Sequence, residues 1–284
     1  MQQLSFRKLF VGYSKFIKLL LILFLFSNVL SGQSSEKEGS LNHWGIKAGW
    51  TQSLISDQHS SPLLYQADAM NIGGIYQRRG NSLFEVALTL QIGTNQAQRH
   101  GQRTVFIDET PDIYGEVESF ELQANPFLSL MVGDLRVKTL WSINEHHALG
   151  FSFNTRHILT GIGADTWHYT QLDIAPEYRV QYSIANLEAN ASFSLPLLAG
   201  VVRPNYAYDP SLPNTLNYWW GYVKTGSSIT SIHQLVNPRA SAGLMWHFKN
   251  GRDLGVDYFA AWTSFPDPRP LRLFENGINL TYFF

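Results

Sequence analysis

The chain has 284 residues and a formal net charge of −1, which argues against nucleic acid as its main partner. It contains no cysteine, so a disulfide framework, a thiol nucleophile and a lipidated cysteine are all excluded. Charged residues make up only 15% of the chain while aromatic residues reach 14%, a balance that suits a surface partly solvated by lipid. Composition alone also allows a soluble all-β protein.

Residues 1–32 have the features of a secretory signal peptide. Four basic residues, Arg7, Lys8, Lys15 and Lys18, precede an unbroken apolar run over 19–26, and small residues at 31–32 offer a cleavage site before Gln33. An uncleaved anchor is the alternative, but a spanning helix needs about 20 apolar residues and this run is much shorter. We expect 33–42 to form a polar mature N-terminus and 43–284 to form one domain.

Strict period-two alternation of apolar and polar residues dominates the rest of the chain, which predicts β-strands. In 83–92, for example, Phe84, Val86 and Leu88 share one face while Glu85 and Thr89 share the other. No second long apolar run follows residue 42, so a membrane-embedded chain would have to close a β-barrel. The alternating segments are 43–51, 66–77, 83–92, 135–143, 148–157, 169–182, 187–199, 239–248, 254–263 and the last residues up to Phe284.

The connections between these segments alternate in length. Short polar turns are expected at 79–81, 144–147, 183–186 and 249–253, and longer loops at 53–64, 94–116, 158–168, 199–229 and 264–271. Transmembrane barrels place short turns on the periplasmic side, and parity from Phe284 then gives ten strands. This count treats 113–143 as one long strand with a bulge or kink near Gly133-Asp134. The twelve-strand alternative needs a further pair in 94–134 or 217–235.

The C-terminus carries a more specific pattern. Alternating apolar residues at Ile278, Leu280, Tyr282 and Phe284 end the chain on an aromatic residue. With the signal peptide and the alternating strands, this pattern resembles Gram-negative outer-membrane β-barrel proteins, although it identifies no subfamily. The resemblance implies an all-β, antiparallel up-and-down barrel in the cell outer membrane, surrounded by outer-membrane lipid. It also implies that the four residues are an assembly signal recognised by the barrel-assembly machinery.

Charged residues of both signs fall on the face expected to line the barrel interior. A ten-stranded barrel is narrow, and wide aqueous pores need about 16–18 strands. Opposite charges there are expected to form a buried salt-bridge network that fills the interior; a selectivity lining is the alternative. The predicted network consists of Lys47, Glu85, Arg136, Lys138, Glu177, Arg179, Glu188, Asp257 and Glu275.

No residue pattern establishes a catalytic, cofactor or metal site. His146-His147 falls in a predicted turn, and the pairs Ser231/His233 and Asp165/His168 lack a recognisable flanking motif. The loop over 199–229 is rich in aromatic residues, Pro and Asn, which could bind a sugar or a protein, or simply form an interfacial belt and a self-packed loop. Pro266, Pro268 and Pro270 predict a stiff last extracellular loop.

Three classes of function remain open. The favoured class is a structural, binding or envelope-assembly barrel with a plugged interior, whose partner would be an envelope protein or a surface ligand. The second is a porin-like narrow channel for small solutes. The third is a membrane-embedded hydrolase, which the sequence supports least.

Overall fold

The computed structural model describes residues 41–59, 61, 63–80, 82–98, 103–108, 119–124, 128–162, 165–203 and 226–284. These residues form antiparallel strands connected by turns and loops. The strands are β1 (Leu41–Asp57), β2 (Leu64–Arg79), β3 (Ser82–Ala97), β4 (Arg103–Asp108), β5 (Ser119–Ala124), β6 (Leu128–Ser142), β7 (His147–Ile162), β8 (Asp165–Ile184), β9 (Leu187–Ser194), β10 (Leu198–Val202), β11 (Ser227–Ser231), β12 (Arg239–His247), β13 (Asp253–Phe265) and β14 (Leu271–Phe283).

The main sheet closes into a barrel because β1 pairs with β14 as well as with β2. Two strands of the wall are interrupted. β9 and β10 both pair with β8, and Pro196, which has no backbone N–H, lies between them. In the same way, β12 pairs with β9 and β11 pairs with β10. β9 with β10, and β11 with β12, therefore each form one interrupted strand of the wall. The barrel therefore has ten strands, which confirms the predicted count; β4 and β5 form a separate two-stranded sheet.

Two details of the predicted wall are wrong. The segment 113–143 is not one bulged strand: β5 pairs with β4, and β6 begins only at Leu128. Gly133 and Asp134 lie in unbroken register with β3 and β7. Gly133 faces open space on the outside and Asp134 faces Arg156 on the inside, so the strand continues through both residues without a bulge. The loop expected over 158–168 is also mostly strand, since β7 reaches Ile162 and β8 starts at Asp165.

The four short turns lie at one end of the barrel, as predicted, and we take this end as periplasmic. β8 and β9 are joined by Ala185, in the left-handed region at φ 54°, and Asn186. Gly251, at φ 78°, serves the turn between β12 and β13, where a glycine has no steric cost. The longer loops lie at the opposite, extracellular end.

A belt of exposed apolar side chains surrounds the periplasmic part of the wall. Ile72, Leu88, Phe151, Val256 and Leu280 are among its members, each 45–63% exposed on the outer face. Contiguous exposed apolar surface of this kind is unfavourable in water and matches the lipid-facing band of a transmembrane barrel. Aromatic residues at the periplasmic border of the belt include Trp44, Trp141, Tyr178, Tyr182, Trp246 and Phe284.

No helix within the described residues is long and apolar enough to cross a membrane.

The strands continue beyond the belt, and there the two faces exchange character. In β2, Met70 and Ile72 face outward, whereas Tyr65, Ala67 and Ala69 are buried inside. This exchange marks the upper border of the lipid, above which water solvates the outside and apolar side chains pack within. The inner residues form one cluster, the extracellular core, none more than 3% exposed: Ile55, Tyr65, Ala67, Ala69, Leu130, Val132, Ile158, Trp167, Tyr169, Ala199, Val201, Leu235, Phe265, Leu271 and Leu273.

Candidate functional site

Below the extracellular core, the barrel interior is polar because alternate residues of each strand point inward from the lipid belt. The nine charged residues predicted for the interior all lie on this inner face. Lys138 Nζ lies 2.9 Å from Glu85 and 3.7 Å from Glu177, which also binds Arg136 at 2.5 Å. The remaining pairs are Lys47–Asp257 at 3.8 Å, Arg179–Glu188 at 2.8 Å and Glu275 with Arg156.

Several members of this network were missed by the sequence analysis. Arg156 bridges Asp134 and Glu275, and Arg239 binds Asp173, which also accepts from Asn154. Their strand phase could have identified them, because Arg156 alternates in step with Asn154 and Ser152, both of which are buried inside. We call the charged residues of the interior, the nine predicted ones together with Arg79, Asp134, Arg156, Asp173 and Arg239, the charged layer.

Three contacts cross the full width of the interior between strands on opposite sides of the barrel. Near the periplasmic end, Arg79 of β2 reaches Glu188 of β9 at 3.5 Å. At mid-height, Arg156 of β7 binds Glu275 of β14. At the extracellular end, the Trp167 indole N–H of β8 donates to Asp57 of β1 at 2.6 Å. Each of the three contacts therefore spans the interior from one wall to the opposite wall, and the three lie at different heights.

Asp57 is the centre of a second buried cluster at the extracellular end. Asp57 and Arg203 form an ion pair with exposures of 1% and 2%. The Arg203 Nη1 also donates to the backbone oxygens of Asp267 and Arg269, at 2.8 and 2.5 Å, in the proline-rich last loop. One guanidinium therefore ties the first loop, the end of β10 and the last loop together.

His59 lies beside this cluster. Partial burial and the guanidinium groups of Arg203 and Arg269 lower the pKa of His59 below its ordinary value, although the Asp57 carboxylate opposes them. At neutral pH the imidazole therefore adds little positive charge next to Arg203.

A cavity of about 250 Å³ lies within the charged layer. One side is walled by small side chains of β9, β12 and β13, such as Ser192, Ser241 and Gly243. The other side carries long cationic side chains of β6, β7 and β8. At the periplasmic end, Leu140, Met245 and Phe283 are buried in the interior.

The residues considered for chemistry are not brought together as a catalytic site among the described residues. His168 lies on the outer face of β8, and the side chain of Asp165 lies outside the described residues. Ser231 ends β11 and His233 is exposed beyond it, with no hydrogen bond between them. His146 and His147 border the exposed turn between β6 and β7, where His147 contacts the Tyr178 hydroxyl at 2.6 Å. Within the described ranges, no cluster of three or more His, Asp or Glu side chains could hold a metal ion.

The remaining predictions concern the last strand, the loop over 199–229 and the N-terminal segment. Ile278, Leu280, Tyr282 and Phe284 share the outer face of β14, while Phe283 points inward and is 2% exposed. The aromatic part of the loop over 199–229 falls in 204–225, which lies outside the described residues. The predicted signal peptide over 1–32 also lies outside them. Residues 41–42 of the predicted polar N-terminus belong to β1.

Comparison with known proteins gives only distant likenesses. No family model matches the chain, and no curated protein matches it. The outer membrane protease OmpT from Escherichia coli is 11% identical, with a TM-score of 0.41 over 88% of this chain and 100% of that one. The β domain of the Bordetella autotransporter BrkA is 8% identical, with a TM-score of 0.37 over 87% and 100%. The attachment invasion locus protein Ail of Yersinia pestis is 12% identical, with a TM-score of 0.29 over 86% and 99%.

These values indicate no role for the chain, and the architecture is established by the barrel itself. The wall is closed, its outer belt is apolar, and its interior is polar where the belt is widest. The protein is an integral outer-membrane β-barrel.

Proposed function

We propose that the protein is a closed, non-conducting outer-membrane barrel that serves as a structural or binding module at the cell surface. The observation that carries this proposal is the extracellular core, which fills the interior above the lipid with side chains no more than 3% exposed. A packed apolar core has the density of a protein interior and admits no hydrated solute.

The contacts that cross the interior support the same conclusion. A general porin keeps an aqueous channel along its axis, with charges lining the wall. In this barrel, the side chains of Arg79, Arg156 and Trp167 extend from one wall to partners on the opposite wall. The two arginines are each paired with a carboxylate of the opposite wall, so these side chains cross the interior without adding an unpaired charge.

A closed barrel that rises above the membrane is suited to presenting a surface. Outside the extracellular core, polar side chains such as Gln52, Thr94 and Arg272 face water, and the long loops begin at the same end. The expected partner is therefore an envelope protein or a surface ligand that contacts this end.

Single-channel recording in planar bilayers tests the proposal. Purified, refolded protein should insert without producing stable current steps, while a general porin in the same bilayers provides the positive control. Heat-modifiable gel mobility should show beforehand that the sample is folded. Large, stable steps from the folded protein would contradict the closed barrel.

The charged cavity favours one alternative, a narrow channel for small solutes. Trp167→Ala/Tyr169→Ala distinguishes the two, because both side chains belong to the extracellular core. If the core seals the barrel, this double substitution should raise the frequency of current steps above the silent wild type. If wild-type currents exist and the substitution leaves them unchanged, the conduction path does not pass the core and the proposal fails.

A further inference from the structure

On one side of the barrel, a row of polar side chains stands directly above the lipid-facing belt. Consecutive register partners on the outer face of β14, β1, β2 and β3 form this row: Asn276, Gln52, Asp68 and Thr94. The next outward residues on the membrane side are also consecutive partners, and all are apolar and exposed: Ile278, Trp50, Met70 and Ile92. The polar row is therefore the direct continuation of the surface that lipid covers.

Two further glutamines, Gln66 and Gln96, pair with each other one outward position above this row. We define the amide face as these two glutamines and the four residues of the row; four of the six side chains are carboxamides: Gln52, Gln66, Asp68, Thr94, Gln96 and Asn276. Within the described ranges, the one hydrogen bond to a side chain of this face is donated by Gln98 to Gln66, at 3.2 Å. Most donors and acceptors of the amide face are therefore available to a ligand.

The opposite side of the barrel lacks such a surface. Above the belt, the described outward residues of β7 and β8 include no carboxamide; they are Thr155, His157, Leu159, His168 and Thr170. Water would solvate carboxamides equally well on either side of the barrel. Their concentration on β14, β1, β2 and β3 therefore favours a ligand that contacts this side and not the other.

The charge of the amide face indicates which chemistry this ligand has. Phosphate is recognised by clustered arginine and lysine side chains. The amide face has no cation, and Asp68 places a carboxylate between Gln52 and Thr94. The nearest outward arginine on these strands, Arg272, is four residues from Asn276 along β14. Carboxamides and a carboxylate instead suit a ligand rich in hydroxyls, because each hydroxyl both donates and accepts a hydrogen bond.

The position of the amide face indicates where such a ligand comes from. A lipid whose acyl chains cover Ile278, Trp50 and Met70 must place its headgroup one row higher, against the amide face. At the extracellular end of the barrel this lipid belongs to the outer leaflet, which Gram-negative bacteria build from glycolipids. Trp50 is 48% exposed directly below Gln52, so its indole can pack against the C–H groups of a sugar ring while the amides bond the hydroxyls.

We propose that the amide face binds the saccharide headgroup of outer-leaflet glycolipids through the sugar hydroxyls. The acyl chains of the same lipid cover the apolar row immediately below, so one molecule contacts both rows. The amide face lies on the outside of the wall, and this binding therefore does not depend on whether the interior conducts.

Native mass spectrometry of the purified protein in non-ionic detergent, titrated with lipid A, tests this surface. Three probes separate the contributions of sugar, phosphate and acyl chain. Lipid A should bind about tenfold more tightly than phosphatidylglycerol, which has acyl chains and a phosphate but no sugar, a difference that two or three hydrogen bonds can supply. Monophosphoryl lipid A, which lacks a phosphate but keeps the sugars, should bind within about twofold of lipid A, because no cation of the amide face contacts the phosphate.

Variants assign the binding to the amide face. Gln52→Ala/Gln66→Ala/Gln96→Ala should weaken lipid A binding about tenfold, whereas the control Thr155→Ala/Ser227→Ala, on the outer face of the opposite side, should leave it within about twofold. Heat-modifiable mobility shows that each variant is folded. If the triple variant does not fold, Gln52→Ala alone should still weaken binding by about twofold to threefold.

Three results would overturn the proposal. The first is equal affinity of the wild type for lipid A and phosphatidylglycerol, which would leave the sugar without a role. The second is a large loss of affinity with monophosphoryl lipid A, which would assign binding to phosphate. The third is an equal effect of the amide-face and control variants, or unchanged binding by folded Gln52→Ala.

Discussion

Asp57 is the residue at which the extracellular contacts converge. Its carboxylate accepts hydrogen bonds from the Trp167 indole, from the Arg203 guanidinium and from the His59 backbone N–H at 2.9 Å. All this occurs at the end of β1, where the chain leaves the wall. A carboxylate with several donors fixes the geometry of the loops more strongly than a single surface ion pair does.

We expect Asp57→Asn to lower the free energy of unfolding by about 3 kcal/mol, because Arg203 would remain buried without a counter-charge. Urea unfolding of the protein in lipid vesicles, followed by tryptophan fluorescence, measures the effect. Asp68→Asn is the matched control, since Asp68 lies on the outer face of β2. Equal stability of the two variants would show that the Asp57 cluster does not hold the extracellular end together.

Gly277 illustrates a different constraint, the close approach of a backbone and an aromatic ring. A Cβ at this position would overlap the Trp50 backbone oxygen and lie 2.7 Å from Cε1 of Phe259. We expect Gly277→Ala to destabilise the barrel by about 1–3 kcal/mol, because the paired backbone of Trp50 cannot move away without disturbing the sheet. Gly74→Ala, where a Cβ meets nothing within 4 Å, should be nearly neutral in the same unfolding assay.

The strand is the scale at which the two environments of the chain become visible. β7 carries Leu149, Phe151 and Phe153 on its outer face, then Thr155 and His157, while Ile158 is buried inside. A strand of this kind is half a transmembrane strand and half a strand of a water-soluble barrel. The point of exchange lies at a similar height in neighbouring strands and outlines the membrane border.

This border predicts that an outward-facing residue replaced by arginine destabilises the barrel below the border but not above it. Ile72→Arg places a charge in the apolar belt and should cost about 2–4 kcal/mol, with less folding into vesicles judged by gel mobility. Thr94→Arg, on the outer face of β3 opposite Asp68, should fold as well as the wild type. If Thr94→Arg were as harmful as Ile72→Arg, the lipid would extend above the proposed border.

The sequence was sufficient to predict the ten strands and their turns, because period-two alternation and short polar turns are local signals. It could not predict the lengths of the strands correctly. The segments expected at 43–51 and 169–182 are shorter than the strands that contain them, because β1 has 17 residues and β8 has 20. Where the two faces exchange character, the pattern of one apolar and one polar face no longer marks a strand, which explains the loop wrongly expected over 158–168.

The candidate site was only partly predictable for a related reason. Strand phase placed residues such as Glu85 and Lys138 on the inner face, but it carries no information on which opposite walls meet. The contact of Arg156 with Glu275 joins residues 119 positions apart, and the Asp57–Arg203 pair joins residues 146 apart. Such contacts depend on closure of the barrel and on its narrow diameter, which are properties of the whole sheet.

At the scale of the whole molecule, the charged layer behaves as one network, so its substitutions should not be additive. Arg156→Met leaves Glu275, which is 1% exposed, without its cation and should cost about 3–5 kcal/mol. Arg156→Met/Glu275→Met removes both charges and should be more stable than Arg156→Met alone. Urea unfolding of the four members of this cycle measures the coupling; a double variant as unstable as the sum of the two singles would contradict a cross-lumen pair.

The extracellular core also bears on how the protein leaves the membrane once it is inserted. The core is assembled from strand segments that lie beyond the lipid border, so it can pack only after those segments have crossed the bilayer. Pulling the barrel back would require this packed cluster, including Trp167 and Phe265, to be dismantled and its side chains passed through the lipid one strand at a time. We therefore expect extraction of the barrel from the membrane to be slow, with its rate limited by the barrier to unpacking this core and not by the equilibrium affinity for lipid.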